Sequence, residues 1–232
     1  MKLLLTSSGI SNPSIEAALV DLLCKPISES NAILVASGMH PFPGGSARVL
    51  DLIQGRAKSR LTGIGWKSLG LLELTALPSI RRENWVPVLE ATDALLVFGG
   101  NVAYLAHWMR RAGMDELLPQ LESLVYVGVS AGSIVMTPYN CDAESNRESL
   151  PDDTDVATEH HGGLGLVDFT TWVHVGNPDP MFAEHSLENV AQWARGVTVP
   201  TYALDDASAI AVDGSEVTVI TEGNCPVFAP GQ

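Results

Sequence analysis

The feature that most restricts how this chain can fold is Gly128-Val129-Ser130-Ala131-Gly132, set between an apolar run over residues 124–129 and a helix-compatible segment over 133–136. A strand that ends in a serine and turns at once into a helix has to lie inside a sheet, with the helix packed back against it. At so tight a turn a Cβ on either flanking residue would crowd the next strand or helix, and glycine avoids that crowding. The serine at the apex would then carry its Oγ out of the sheet. The N–H of Ala131 would face the same space at the positive end of the helix. The pentapeptide also arises by chance in chains rich in Gly and Ser. The strand before it and the helix after it are what give it weight here.

The rest of the chain keeps the same alternation. Residues 3–6 read as a strand, and Asn12-Pro13 opens a helix with Ile15, Ala18, Leu19, Leu22 and Leu23 on one face. Residues 32–37 form the next strand, followed by a Gly- and Pro-rich loop over 38–45 and a helix carrying Val49, Leu52 and Ile53. A third strand is expected over 69–77, with a helix over 79–91. Residues 94–98 are continuously apolar, as expected for a strand buried on both faces, and Gly99-Gly100-Asn101 leads into a helix over 102–111. This succession predicts a mostly parallel sheet with helices on both faces. Beyond the serine turn, residues 141–159 are strongly acidic and read as a solvated surface loop; residues 141–161 as a whole could serve as a lid. Strand character returns over 165–175, a helix over 179–195, and antiparallel strands close the chain at 199–204, 209–212 and 216–220, with a short one at 227–229. No linker or repeat divides the sequence, so one α/β domain over residues 1–232 is expected.

A net charge of −14 argues against nucleic acid or an anionic membrane surface as partner, since either would be repelled. The three cysteines, Cys24, Cys141 and Cys225, have no metal-binding spacing and read as thiols of a cytoplasmic protein. The apolar start at residues 3–5 is too short for a secretion signal, and no run reaches the length of a membrane span.

Functional groups in parallel α/β sheets gather beyond the carboxyl ends of the strands. The ends that carry chemistry are Gly99-Gly100-Asn101, Ser130, His174 and Asp205-Asp206. A serine needs a base within hydrogen-bond reach. Of six histidines, His174 is best placed, at the end of a β-run and before the turn Gly176-Asn177-Pro178. His107 lies inside a helix pattern and reads as structural, His160 and His161 border the acidic loop as reserve candidates, and His40 and His185 have no motif support. The imidazole needs an acceptor on its other nitrogen, and Asp205 or Asp206 could supply it, although aspartates are equally at home in a plain turn. For an oxyanion hole, Gly100 offers a backbone N–H to partner that of Ala131. The geometric expectation is that the tips bearing Ser130 and His174 lie side by side.

Together, Val97-Phe98-Gly99-Gly100-Asn101, Gly128-Val129-Ser130-Ala131-Gly132, the strand ending in His174 and Ala203-Leu204-Asp205-Asp206 resemble the peptidase E (aspartyl dipeptidase) family of serine peptidases, of which cyanophycinase is a relative. The resemblance covers nearly the whole chain. The chain order serine, histidine, acid agrees with it and differs from the order in α/β-hydrolases. It implies a class I glutamine amidotransferase-like fold: α/β, a mostly parallel sheet flanked by helices on both faces, with C-terminal antiparallel strands. It implies Ser130 as nucleophile and His174 as base. Asp206 is the first choice of acid and Asp205 the alternative, with Asp153 and Asp155 further off. Gly100 and Ala131 would be the oxyanion donors, with Asn101 beside them as a substrate-binding residue. No cofactor or metal is called for. Members that cleave after an N-terminal aspartate carry basic residues just beyond the histidine; residues 177–185 have neither Arg nor Lys, so that selectivity is not expected here. A substrate carboxylate would have to meet Arg147, His160, His161 or His185 instead.

The expected activity is that of a cytoplasmic serine exopeptidase acting on dipeptides or short peptides through an acyl-enzyme, with a homodimer left open. The alternatives are a non-catalytic ligand-binding or sensing module on the same fold, and a cyanophycinase-like hydrolase of β-linked Asp peptides.

Overall fold

Leu3, Leu4 and Leu5 are wholly buried because β1 (Lys2–Thr6) runs in the middle of a sheet, parallel to β5 (Val125–Val129) on one side and antiparallel to β8 (Ser208–Asp213) on the other. The computed structural model describes residues 1–150 and 162–231, the side chains of residues 144 and 145 excepted. Among these residues a seven-stranded sheet has the order β3-β2-β4-β5-β1-β8-β9, completed by β2 (Asn31–Val35), β3 (Ser68–Leu71), β4 (Ala94–Val97) and β9 (Glu216–Thr221). The five strands from β3 to β1 run parallel; β8 and β9 are antiparallel, as expected for the C-terminal part. A second sheet of three short strands has the order β10-β7-β6, from β6 (Thr170–Trp172), β7 (Thr201–Ala203) and β10 (Val227–Phe228).

Side chains of alternate parity leave the large sheet on opposite faces and build separate cores. Leu3, Leu5, Leu95, Val97 and Tyr126 meet α3 (Val86–Glu90), α4 (Val102–Arg111), α5 (Met114–Leu117) and α6 (Ala131–Ile134). Leu4, Leu34, Leu96, Val127 and Ala209 meet α1 (Pro13–Leu23) and α2 (Gly45–Ile53). The helix starts follow from local chemistry. The Asn12 side chain accepts the Ile15 N–H at 3.0 Å with Pro13 in the first helical position, and the Asn101 side chain accepts the Tyr104 N–H at 2.9 Å. No helix of the described residues is long and apolar enough to cross a membrane.

Several expectations need correction. The third strand stops at Leu71, on the sheet edge with all four of its residues exposed, and residues 74–79 form a 3-10 turn instead. The Glu73 carboxylate takes the Thr75 N–H there, and Pro78 has no N–H to give a ladder. The helix expected over 79–91 shrinks to a 3-10 turn at Arg82–Asn84 and α3, which restarts with Pro87 in its first turn. That over 179–195 splits into a 3-10 turn at Pro180–Phe182 and α8 (Leu187–Ala194), because Ser186 accepts the Asn189 N–H and opens a new helix. The acidic stretch is not simply a solvated loop in its described part: α7 (Ala143–Glu148) buries Asn146, and Leu150 is buried after it. Its remainder lies outside the described residues.

Candidate active site

The chain leaves β5 and reverses at Ser130, whose φ of 54° and ψ of −118° are unusual for a residue with a side chain. The turn is held by its neighbours. Ser130 N–H donates to the Thr6 carbonyl at 3.1 Å, Ser133 Oγ donates to the same carbonyl at 2.7 Å, and the buried Tyr126 hydroxyl donates to the Gly132 carbonyl at 2.6 Å. A Cβ on Gly128 would stand 2.6 Å from the Gly132 carbonyl oxygen, and one on Gly132 would overlap the carbonyl of Val97 in β4. The two glycines therefore let α6 fold down onto the sheet, which aims the serine outward.

Beside the serine lies the loop after β4. A Cβ on Gly99 would come within 3.1 Å of Ser130 Cβ, and one on Gly100, at φ 128°, would overlap the Gly38 carbonyl. Ala131 is the first residue of α6, so its N–H has no acceptor within the helix. Among the described residues the Gly100 N–H meets no backbone acceptor. Asn101 departs from expectation. It is wholly buried; its Oδ1 caps α4 and its Nδ2 donates to the Asn146 carbonyl at 2.6 Å, so both polar ends of its side chain are committed to structure. The Asn146 side-chain oxygen in turn accepts the Val102 N–H.

His174 follows β6, in the smaller sheet, so the two expected strand tips belong to different sheets. They meet nevertheless: Ser130 Oγ lies 2.9 Å from His174 Nε2. His174 Nδ1 donates to Asp206 Oδ1 at 2.6 Å, which requires the proton on Nδ1 and leaves Nε2 free to accept from the serine. The imidazole is buried, stacked on Phe182 with ring centroids 4.1 Å apart, and its residue sits at a left-handed φ of 58°. Two more donors hold the carboxylate, Ser7 Oγ to Oδ1 at 2.8 Å and Asn177 Nδ2 to Oδ2. Burial opposes ionisation of Asp206, but the hydrogen bond and charge of His174, together with Ser7 and Asn177, outweigh it and hold the carboxyl below its ordinary value.

The adjacent Asp205 faces the other way. Its oxygens accept from the Ala207 N–H at 3.0 Å, Ser208 Oγ at 2.6 Å and the Asn224 N–H at 2.6 Å, which ties the turn before β8 to the chain before β10. His185 lies near the site but is committed: Nδ1 donates to the Val173 carbonyl at 2.7 Å, and Nε2 faces the Asp142 carboxylate at 3.5 Å. Burial pushes the Asp142 carboxyl up, against the pull of the His185 and His174 charges. His40 pairs with Glu73 at 2.9 Å, and His107 packs edge-on to Trp108. Arg147 is exposed on α7. Asp153, Asp155, His160 and His161 lie outside the described residues.

Ser7 and Asn177 were not among the expected site residues. Ser7 stands directly beyond the carboxyl end of β1, a position that the rule used for the other strand ends also covers. A serine with its hydroxyl on an imidazole, itself oriented by a carboxylate, is an arrangement able to make a nucleophile from a neutral hydroxyl. Set beyond the ends of β5, β6 and β7, in the chain order serine, histidine, aspartate, it defines a class of proteins with serine-hydrolase geometry. Within that class the chain belongs to peptidase family S51, whose model matches residues 53–220. It is 29% identical over 136 residues to the uncharacterized peptidase Lmo0363 of Listeria monocytogenes serovar 1/2a, and 31% identical over 98 residues to the uncharacterized peptidase Lin0382 of Listeria innocua serovar 6a. Those matches take in 56% and 38% of this chain and only 60% and 42% of the relatives' own lengths. Its fold is similar over 96% of the chain to that of a Listeria monocytogenes EGD-e protein provisionally described as peptidase E, with a TM-score of 0.64 at 21% identity and 98% of that protein covered. A peptidase from an acI-B1 Actinobacterium shares the fold over the full chain and 95% of its own length, with a TM-score of 0.57 at 14% identity.

Proposed function

We propose that this protein is a serine-type exopeptidase that hydrolyses dipeptides or short peptides through an acyl-enzyme on Ser130. The observation that carries the reading is the continuous line from Ser130 Oγ to His174 Nε2 at 2.9 Å and from His174 Nδ1 to Asp206 at 2.6 Å. Membership of peptidase family S51 supports a peptide bond as the bond attacked.

In the first half-reaction Ser130 Oγ attacks the scissile carbonyl carbon while His174 Nε2 takes the hydroxyl proton. The carbonyl oxygen becomes an oxyanion, which the N–H groups of Gly100 and Ala131 receive; each such donor contributes roughly 10²–10³ in rate. Asp206 keeps the imidazole in the tautomer that can accept at Nε2 and stabilises the imidazolium that results. The imidazolium then protonates the leaving amine as the C–N bond breaks, and an ester to Ser130 remains. In the second half-reaction a water molecule, deprotonated by His174, attacks that ester; the proton returns to Ser130 as the acid product leaves.

The test has two arms. An active-site serine phosphonate is expected to label wild-type protein at Ser130 and to leave Ser130→Ala unlabelled. A panel of dipeptides differing in their N-terminal residue is expected to be cleaved by the wild type alone. Folded wild-type protein that takes no label and cleaves no peptide would sink the hydrolase reading in favour of a binding module.

A further inference from the structure

We propose that Ser7 is a positioning residue that sets the His174–Asp206 pair against the nucleophile; this rests on the serine-hydrolase reading above. The end of β1 touches both halves of the site. The Thr6 carbonyl accepts the Ser130 N–H and Ser133 Oγ, which fixes the turn bearing the serine. The next residue, Ser7, is wholly buried, and its own N–H donates to the Ser208 carbonyl at 3.3 Å, so its backbone is anchored to β8. Besides a longer contact of 3.5 Å to His174 Nδ1, its hydroxyl makes two short directed bonds. It accepts the backbone N–H of His174 at 2.8 Å and donates its proton to Asp206 Oδ1 at 2.8 Å, the same oxygen that takes His174 Nδ1.

A hydroxyl has one proton to give, and here it goes to the carboxylate while a lone pair takes the main chain of the histidine. One atom therefore fixes the backbone of a residue at a left-handed φ of 58° and the carboxylate that orients its ring. Neither group has a substitute at hand. His174 is buried, so its N–H would be left without an acceptor, and Oδ1 of Asp206 would keep only the imidazole as donor. Ser7 also links the two sheets, since β1 belongs to the large one and the residues it bonds follow strands of the small one.

The experiment compares Ser7→Ala and the near-isosteric Ser7→Cys, a weak donor, with wild type, after thermal unfolding has shown each to be folded. In Ser7→Ala, phosphonate labelling of Ser130 is expected to slow by about 10–100-fold, and kcat on a cleaved dipeptide to fall with KM within a few-fold, because a displaced base harms the reacting geometry more than ground-state binding. The proton resonance of His174 Nδ1–H is expected to move or broaden, and the acid limb of the labelling pH profile to shift. Ser7→Cys should fall between the two. A general loss of packing would lower the unfolding temperature without moving the pH profile. Folded Ser7→Ala that labels within twofold of wild type, with the Nδ1 proton unmoved, overturns the proposal. Should wild type itself take no label, the hydrolase reading fails on its own. The resonance then decides the role of Ser7: moved in Ser7→Ala, it supports positioning, and unmoved, it refutes it. Should Ser7→Ala not fold, Ser7→Cys carries the same comparisons.

Discussion

The serine half and the histidine half of this site are held in place by different means. Ser130 is placed by backbone: β5 is paired along its length with β1 and β4, the Thr6 carbonyl takes the turn's N–H, and missing Cβ atoms at Gly128 and Gly132 let the helix close down. His174 and Asp206 follow strands of only three residues each and are placed by side chains, namely Ser7, Asn177, His185 and the stacked Phe182. Apart from Ser133 and Tyr126, whose hydroxyls brace the turn, the first half should therefore tolerate side-chain changes around it but no added carbon at its glycines. The second should come apart one hydrogen bond at a time.

Substituting the reacting atoms gives the largest effects. Ser130→Ala is expected to lower turnover by on the order of 10⁶-fold, with an unfolding temperature close to that of wild type, because the hydroxyl's bond is to His174, which Asp206 and Phe182 still hold in place. Assay and calorimetry on the same sample check this; a residual rate within tenfold of wild type would move the nucleophile elsewhere. Asp206→Asn is expected to lower turnover by about 10⁴-fold, since the amide can present an N–H to Nδ1 and favour the wrong tautomer. It should also change the response to acid. The folded carboxyl is held below its ordinary value, so its contribution to stability is complete above the unfolded-chain value of about 3.9 and is lost as pH falls through the lower folded value. Urea midpoints measured from about pH 5 to about pH 3 should thus fall less steeply in Asp206→Asn than in wild type; equal slopes would contradict the assignment.

The backbone half is probed by Gly132→Ala. The added carbon would overlap the Val97 carbonyl, an atom of a central strand with no room to yield. A loss of about 1–3 kcal/mol in stability or more is expected by urea unfolding, with activity falling in step as α6 lifts from the sheet. Retained stability would mean that the helix does not press on β4 as closely as described.

What could be read from the sequence divides along the same line. β4, β5 and the serine turn were legible because continuous apolar runs, glycines and the serine lie within a few residues of one another, and local grammar decides them. His174 was legible as lying near a strand end, but the strand is only Thr170–Trp172 rather than 165–175, and its membership of a second sheet was hidden because three-residue strands leave almost no periodicity. Asn101, after two glycines and before a helix, carried the signature of a helix cap, and both of its polar ends are used in this way, on α4 and on Asn146. Asn146 was hidden among acidic residues, where nothing in the sequence marks one amide as buried.

The finest test concerns neighbours that sequence alone could not separate. Asp205 and Asp206 lie side by side in the turn after β7, yet only Asp206 faces the imidazole. Asp205 instead gathers two backbone N–H groups and the Ser208 hydroxyl, which joins the two sheets near the chain's last strands. Asp205→Asn keeps one acceptor oxygen and removes the charge, so stability should fall by about 1 kcal/mol while labelling of Ser130 stays within a few-fold of wild type. The outcome separates a structural carboxylate from an orienting one: a loss of labelling as deep as that of Asp206→Asn, in protein of wild-type stability, would mean that the two aspartates act on the imidazole together and that the side-chain half of the site is wider than His174, Asp206, Ser7 and Asn177.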